Sequence, residues 1–212
     1  MRTFVTTYPG NDHLGSFLRL TDRFYPVDIV VDMSKSTDAK SDQLRRLLNS
    51  IDDEYLILLE DDFYFLRPVD LQLLNQVCDF CIEKEVDRFS LQSKNAHSFQ
   101  DWPRTHERVG THPVYEASPQ VEIPFSLEAS VWKKSFLRSH LKEGHNDARI
   151  EIRVSEEIRF MPHKIYALDV LVMGYCDAMR GGRTVICLHD DPLRLVGKGM
   201  DPWCGDLGVV LL

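Results

Sequence analysis

The chain has 212 residues, of which 43% are hydrophobic, and its formal net charge is −8 at pH 7. This length and hydrophobic content predict one globular domain and exclude a disordered chain, because there is enough apolar surface to build a core. The acidic balance argues against a protein that wraps nucleic acid, since binding to phosphates needs a positive surface.

Hydrophobic periodicity in the first sixty residues predicts strands over 3–7, 27–32 and 55–59 and helices over 14–24 and 36–50. Strands that alternate with helices are typical of a parallel, doubly wound α/β sheet. Ligands of such sheets bind beyond the carboxyl ends of the strands. We therefore expect the three strand ends, at 6–8, 32 and 60–62, to line one cleft.

The remaining chain predicts a helix over 70–85 with Asp70 as its N-cap, a strand over 88–92, helices around 131–141 and over 151–159, and a strand over 184–188. Residues 95–124 read as loops or short strands over the cleft, and 165–175 fits either a helix or a strand. No linker interrupts the pattern, so we expect a single domain over 1–212, with one half at about 1–92 and the other at about 93–212.

Five cysteines at irregular spacing do not form a secreted disulfide framework. Cys78 and Cys81 have CxxC spacing, but no second pair follows, so we expect both to lie in a helix. The N-terminus lacks the apolar region of a signal peptide, and no apolar run approaches the ~20 residues needed to span a bilayer. These features favour a cytoplasmic protein. The apolar residues 209–212 fit either a cut within a longer protein or a docked strand.

Three consecutive carboxylates, Glu60, Asp61 and Asp62, directly follow a buried strand. Acids packed at the edge of a core repel one another and lose hydration, and a hard divalent cation with oxygen ligands relieves both costs. The alternatives are a solvated acidic turn and the Mg²⁺ site of a phosphatase or phosphotransferase. The latter usually needs an acid at the end of the first strand, where this chain has none.

The sequence of residues 58–63, LLEDDF, resembles the DxD region of GT-A glycosyltransferases, with Glu60 in the first acidic position. The resemblance implies the GT-A fold, a mixed and mostly parallel sheet flanked by helices. It also implies that Glu60 contacts the ribose of a nucleotide-sugar. Asp62 would hold Mn²⁺ or Mg²⁺ on the donor diphosphate, and Asp61 would lie near the sugar or the metal.

The same resemblance places the ends of the first two strands beside the nucleotide. The hydroxyls of Thr6 and Thr7 and the ring of Tyr8 would line the base and ribose, and Asp32 would accept a hydrogen bond from a uracil-like base. On the next helix Lys40, Arg45 and Arg46 are candidates for the diphosphate, because cations suit phosphate oxygens. The alternative for each of these three is an ordinary solvated helix face.

Residues 125–137, FSLEASVWKKSFL, are similar to a pattern in small bacterial and viral sugar transferases, in which an acid follows further along the chain. That acid is Glu151 here, although Arg149 stands where the pattern commonly has Trp. We expect Glu151 to be the base that takes the acceptor's proton. Glu156 and Glu157 compete for this role, and Glu128 is a candidate for binding a sugar hydroxyl.

Two tryptophans near these stretches are open to two interpretations. Trp132 fits either the core or a stacking contact with a sugar. Trp102, in the polar middle of the chain, is a weaker candidate for an acceptor contact.

A histidine and two acids follow the late strand, at His189, Asp190 and Asp191. Some GT-A enzymes complete the metal shell with a C-terminal histidine, which implies that role for His189, and a following lysine that binds the diphosphate, which implies that role for Lys198. The glycines on either side of Lys198 let the backbone approach a phosphate closely. Either acid can replace His189 as a ligand, and His189 also fits a simple strand-end cap.

Together these features predict a metal-dependent glycosyltransferase that moves a sugar from a UDP-sugar to a hydroxyl of a glycan acceptor, with inversion favoured. One alternative is a nucleotidyltransferase, which typically opens with a Gly-rich and basic loop that this chain lacks after its first strand. The other is a sugar- or nucleotide-binding module without catalysis.

Overall fold

The structure is a computed structural model, and it describes residues 1–7, 14–33, 36–61, 63–65, 68–93, 102–118, 124–173, 175–177, 179–180, 183–184, 186–188 and 195–197. Its helices are α1 (Leu14–Phe24), α2 (Lys40–Ser50), α3 (Leu71–Lys84), α4 (Lys134–His140) and α5 (Asp147–Ile158). Its strands are β1 (Arg2–Thr6), β2 (Ile29–Val31), β3 (Tyr55–Glu60), β4 (Phe63–Phe65), β5 (Arg88–Ser93), β6 (Arg104–Val109), β7 (His112–Glu116), β8 (Ser130–Lys133), β9 (Ile165–Leu168), β10 (Tyr175–Asp177), β11 (Met179–Arg180), β12 (Arg183–Thr184), β13 (Ile186–Leu188) and β14 (Leu195–Gly197).

Eight strands form the main sheet in the order β2-β1-β3-β8-β5-β9-β7-β6. β1 pairs in parallel with β2 and β3, as the alternation of strands and helices predicts. β8 runs antiparallel between β3 and β5, and β7 runs antiparallel to β9, so the sheet is mixed but mostly parallel. Because β8 is reversed, the loop that precedes it lies at the edge where β3 and β5 end.

Helices cover both faces of this sheet, and each face has its own hydrophobic core. On the α1–α3 face, residues such as Val5, Leu59 and Phe80 pack together. On the α2–α5 face, which also includes α4, residues such as Phe4 and Leu58 pack against the other helices. Successive strand residues point to opposite faces, so one strand serves both cores.

The predicted helices and strands are largely confirmed, with several shifts. Asp70 caps α3 as expected, since its carboxylate accepts a hydrogen bond from Leu73 N at 3.0 Å. The helix predicted over 36–50 begins at residue 40, and the strand predicted over 27–32 is shortened to three residues. Residues 95–124 include the hairpin β6–β7 at the sheet edge, and the ambiguous stretch 165–175 opens as strand β9.

The helix predicted around 131–141 was wrong in its first turn, because 131–133 belong to β8. Val131 and Trp132 are buried there and pair with β3 on one side and β5 on the other. A position in the middle of a sheet overrides local helical periodicity. In the described part of the chain, no helix is long and apolar enough to cross a membrane.

Candidate active site

The ends of β2, β1 and β3 lie side by side, as the sequence predicts. Val31, Thr6 and Glu60 are register partners, so the residues that follow them emerge together at the carboxyl edge of the sheet. Asp61 N donates to Thr6 O at 3.1 Å, which extends this alignment past the last strand residue. Asp61 itself is fully buried.

The predicted nucleotide contacts Thr7 and Asp32 come together at this edge. The hydroxyl of Thr7 lies 3.3 Å from Asp32 Oδ1 and accepts a hydrogen bond from Met33 N at 3.1 Å. Asp32 is exposed, so its carboxylate is accessible from solvent. Thr6 is buried, and its hydroxyl points to Leu59 O at 3.4 Å.

Glu60 pairs with a lysine of the neighbouring helix. It is buried, and alternation along β3 turns its side chain toward the α2–α5 face, the same side as Leu58. There Lys40 Nζ, from the first turn of α2, forms an ion pair with Glu60 Oε1. Both side chains are about nine-tenths buried, at 11% and 10% exposure, so this pair is screened much less than a surface ion pair.

The other two basic candidates on α2 lie elsewhere. Arg45 and Arg46 are exposed, and Arg46 Nη2 pairs with Asp38 Oδ2 at 2.6 Å on the solvent side. Sequence analysis left the choice among the three cations open, because helical periodicity alone does not tell which side chain reaches a strand end. The structure brings Lys40 to the acidic strand end.

Glu151, the predicted base, projects from α5 to the loop before β8. Its Oε1 accepts hydrogen bonds from Leu127 N at 2.8 Å and from Ser126 Oγ at 3.1 Å. The rival acids Glu156 and Glu157 lie on the exposed side of the same helix, and Glu157 pairs with Lys142. Only Glu151 of these three acids reaches the carboxyl edge of the sheet, because the helical repeat turns the other two away.

Glu128, in the same loop, forms a cluster of acids with Glu151 and Glu60. Burial raises the pKa of Glu128 to about 7; the positive charge of Arg88 acts against this, and the negative charges of Glu151 and Glu60 add to it. Burial also raises the pKa of Glu151; the hydrogen bond from Leu127 N lowers it, and the charge of Glu60 raises it further. Two of the three glutamates therefore hold protons more tightly than usual.

Arg88 lies fully buried under this cluster, and sequence analysis missed it. Its Nε donates to Ser130 Oγ and its Nη1 to Pro124 O, each at 3.1 Å, and its guanidinium lies 5.3 Å from the centre of the Trp132 ring. The signal was a lone arginine at the start of a strand whose next apolar residues, Phe89 and Leu91, alternate with polar ones. A buried charge needs polar partners, and their presence marks a polar site nearby.

Both candidate tryptophans are core residues. Trp132 is fully buried and packs 4.9 Å from the Phe125 ring and 6.4 Å from the Phe136 ring. Trp102 is buried in the same core of the α2–α5 face. Of the two interpretations of Trp132, the structure confirms the core and not a stacking contact with a sugar. The acceptor contact considered for Trp102 was wrong, since its ring is not open to a ligand.

Four predicted site residues lie outside the described residues: Tyr8, Asp62, His189 and Lys198. In the part of the chain that the structure describes, no group of three or more His, Cys, Asp and Glu side chains could hold a metal ion. Glu60 and Asp61 directly precede Asp62 in the sequence. Carboxylate oxygens are ligands that Mg²⁺ and Mn²⁺ prefer. Cys78 and Cys81 are both free thiols in α3, as expected.

Neither a protein-family model nor a curated protein matches the sequence. Solved structures do match: S. aureus TarS residues 1–349 in complex with UDP-GlcNAc superposes with a TM-score of 0.53 at 12% identity, over 87% of this chain and 60% of that one. The same TarS fragment without that ligand gives a TM-score of 0.52 at 10% identity, over 82% of this chain and 60% of that one. The longer TarS structure gives 0.51 at 10% identity, over 82% of this chain and 36% of that one.

TarS is a glycosyltransferase, and this chain spans about three fifths of the length of its matched fragment. At such low identity the similarity concerns the fold alone. The order and direction of the strands, with helices on both faces, agree with that similarity. The chain therefore has a GT-A-like fold, as the sequence predicted.

Proposed function

We propose that this protein is a glycosyltransferase that moves a sugar from a nucleotide-diphosphate donor, preferentially a UDP-sugar, to a hydroxyl of a glycan acceptor. One observation carries the proposal: the acid at the end of β3, Glu60, and the acid projecting from α5, Glu151, lie at one edge of a GT-A-like sheet. Glu151 accepts a hydrogen bond from Leu127 N in the loop before β8, and β8 begins beside the end of β3, with Ser130 paired to Leu58. A transferase needs a nucleotide-binding group and a proton acceptor at one site. The complex of TarS with UDP-GlcNAc supports a UDP-sugar as the donor class.

The nucleotide belongs at the ends of β1, β2 and β3. Asp32 is exposed and held near Thr7, where it can accept a hydrogen bond from the N–H of a uracil base. Glu60 accepts from the ribose hydroxyls, and Lys40, which pairs with Glu60 at this edge, supplies a positive charge for the diphosphate. From the sequence alone, we add Tyr8 beside the base and ribose and Lys198 at the diphosphate.

We assign the divalent cation, Mn²⁺ or Mg²⁺, to Asp62 and His189, with Asp61 beside them. These residues would hold the cation where it would neutralise the charge that develops on the departing diphosphate. The other residues of the site bind and orient the donor and the acceptor.

Glu151 takes the proton in the chemical step. As the acceptor oxygen forms its bond to the anomeric carbon, the bond from that carbon to the diphosphate oxygen breaks, and the acceptor's proton passes to the carboxylate of Glu151. Attack from the side opposite the leaving group inverts the anomeric centre. Its raised pKa suits this role, because a base works best when its pKa lies near the working pH.

Calorimetric titration with UDP, GDP and CMP, each with and without Mn²⁺, tests the donor class and the metal together. We expect the binding of UDP to require Mn²⁺ and to vanish in Asp62→Ala. Absence of binding for every nucleotide and metal contradicts the proposal. Binding of UDP without any release of sugar from UDP-GlcNAc favours the non-catalytic module, and release of pyrophosphate from a nucleoside triphosphate favours the nucleotidyltransferase.

A pair of variants on α5 tests the base. Glu151→Gln keeps the shape and an acceptor oxygen, yet it should lower kcat by about 10²–10⁴-fold because the proton acceptor is lost. Glu156→Gln changes the same residue type on the exposed side of the helix and should leave kcat within about twofold, as surface changes usually do. Equal rates in Glu151→Gln and the unmodified protein would rule out this assignment.

A further inference from the structure

The loop before β8 holds Glu128 in a fixed position. Glu128 N donates to Ser126 Oγ at 3.3 Å, and Ser130 Oγ donates to Glu128 O at 2.8 Å. The same Ser126 hydroxyl lies 3.1 Å from Glu151 Oε1. The hydroxyl of Ser126 therefore links the backbone of Glu128 to the carboxylate of Glu151.

Charged and polar groups face the carboxyl of Glu128 from three strands and helices and from its own loop. Glu151 faces it from α5, Glu60 from β3 and Arg88 from β5, and Ser126 lies in its own loop. Its Oε2 is buried and has no hydrogen-bond partner among the described residues, although the residue as a whole is partly exposed. Leaving a buried polar atom unsatisfied is costly, and more so when the group is charged, so a ligand that bonds to this oxygen relieves that cost.

This environment favours the neutral acid. Burial and the two neighbouring carboxylates outweigh the single arginine, so the pKa of Glu128 is raised to about 7. A protonated carboxyl offers one O–H donor and an acceptor oxygen together. Sugar hydroxyls also donate and accept at the same atom, so a neutral carboxyl matches them in both directions.

The roles proposed for Glu60 and Glu151 indicate which sugar lies beside Glu128. In the proposed function, Glu60 contacts the nucleotide and Glu151 activates the acceptor, so the transferred sugar has to lie between them. Glu128 is acted on by both of these charges. We infer that Glu128 binds a hydroxyl of the transferred sugar, donating and accepting at once, and thereby selects which donor the site takes. This inference rests on the proposed function and adds to it the residue that recognises the donor sugar.

Calorimetry with UDP and with UDP-GlcNAc, UDP-glucose and UDP-galactose, all with Mn²⁺ at pH 6.5, tests this role. The variants are Glu128→Met, which keeps the length without hydrogen bonds, and Glu128→Gln, which keeps a donor and an acceptor. We expect the Kd of UDP to be unchanged in both. The Kd of the best-bound UDP-sugar should rise about tenfold in Glu128→Met, equivalent to about 1.4 kcal/mol, and less than threefold in Glu128→Gln.

Raising the pH gives a readout that a purely structural residue does not move. Between pH 6 and pH 8 the affinity of the unmodified protein for the UDP-sugar, relative to UDP, should fall about tenfold as the carboxyl loses its proton. Glu128→Gln should show no such fall, and Glu143→Gln, a change at an exposed glutamate, should behave like the unmodified protein.

Two outcomes overturn the inference and are distinguishable. If UDP binds and Glu128→Met binds the UDP-sugar as tightly as the unmodified protein, the role of Glu128 is wrong while the proposed function stands. If the unmodified protein binds no UDP, the proposed function fails and the inference falls with it. If Glu128→Met no longer binds UDP, the test rests on the pH dependence of UDP-sugar binding by Glu128→Gln. The same pH dependence in Glu128→Gln as in the unmodified protein would then contradict the role of Glu128.

Discussion

The two faces of the central sheet are built from the same strands but differ in what they bury. On the α1–α3 face the core is hydrophobic, and residues such as Val77 and Phe80 of α3 pack there with Leu91 of β5. On the α2–α5 face the core is equally apolar at its centre, yet the buried charges Arg88 and Glu60 lie toward its edge. The difference indicates that one face mainly stabilises the fold, whereas the other buries charged side chains at a cost to stability.

That cost is electrostatic. Three glutamates meet one arginine and one lysine in a region largely removed from water, and burying charges is expensive even when they are paired. A protein selected for stability alone would replace such a cluster with apolar side chains. Mutations on the two faces should therefore have different signatures, and the following predictions use that contrast.

Truncating the apolar face should give the largest loss of stability. Phe80 is buried and its ring lies 5.9 Å from that of Phe89 and 6.0 Å from that of Tyr166. Phe80→Ala should lower the free energy of unfolding in urea by about 3–5 kcal/mol, since it opens a cavity. Phe160→Ala is the matched control, because Phe160 is 84% exposed, and it should change stability by less than about 0.5 kcal/mol. Similar losses in the two variants would mean that Phe80 is not part of a packed core.

Neutralising the polar face should increase stability, and only at high pH. The pKa of Glu128 is about 7 when folded and 4.5 in a model peptide, so the folded state binds more protons between these values and stability falls as pH rises through them. A difference of about 2.5 units corresponds to about 3 kcal/mol. Glu128→Gln removes this penalty, so it should be more stable than the unmodified protein by up to about 3 kcal/mol at pH 8 and show no such gain at pH 4.5.

Urea unfolding at both pH values measures this effect, with Glu143→Gln as the control at an exposed glutamate. The control should show the same pH dependence as the unmodified protein. A Glu128→Gln variant that is less stable at pH 8 would show that the carboxylate is stabilised by its surroundings, and the contrast between the faces would then be reversed at this residue.

The parts of the molecule that could be predicted from sequence are those that depend on local patterns. The order β1–α1–β2–α2–β3 follows from local periodicity, and the place of Glu60 and Asp61 follows from the rule that parallel strands end at one edge. β8 was mistaken for a helix because its residues gain their strand conformation from pairing with β3 and β5, which are far away in the chain.

Side-chain partners within the site were harder to predict for the same reason. Lys40 and Arg88 are ordinary cations in the sequence, and only the tertiary fold brings one to Glu60 and buries the other beside Ser130. Glu151 was predicted from a resemblance, and its hydrogen bonds to the loop before β8 depend on how α5 docks. The sequence predicts where acids gather, whereas long-range packing decides which of them hold protons.

Removing the buried arginine should shift the acids that it faces. Arg88 is the largest influence that lowers the pKa of Glu128, and it also lowers the pKa of Glu151. Arg88→Met keeps the length and the apolar contact with Trp132, and it should raise the pKa of Glu128 by about one unit, equivalent to about 1.4 kcal/mol. Carboxyl chemical shifts in a ¹³C-glutamate-labelled protein measure this titration. An unchanged pKa would show that Arg88 does not influence this carboxyl.

Removing a helix cap on the apolar face should give the smallest effect and leave the acids untouched. Asp70 caps α3 by accepting a hydrogen bond from Leu73 N, and Asp70→Ala should lower the free energy of unfolding by about 1 kcal/mol. Because α3 packs on the face opposite Glu128, the titration of that carboxyl and the affinity for UDP should not change. Asp79→Ala, an exposed acid in the same helix, is the control and should have little effect on stability. If the loss of this cap altered the pKa of Glu128, the two faces would be coupled through the sheet. The distinction between the apolar α1–α3 face and the α2–α5 face with its buried charges would then have to be abandoned.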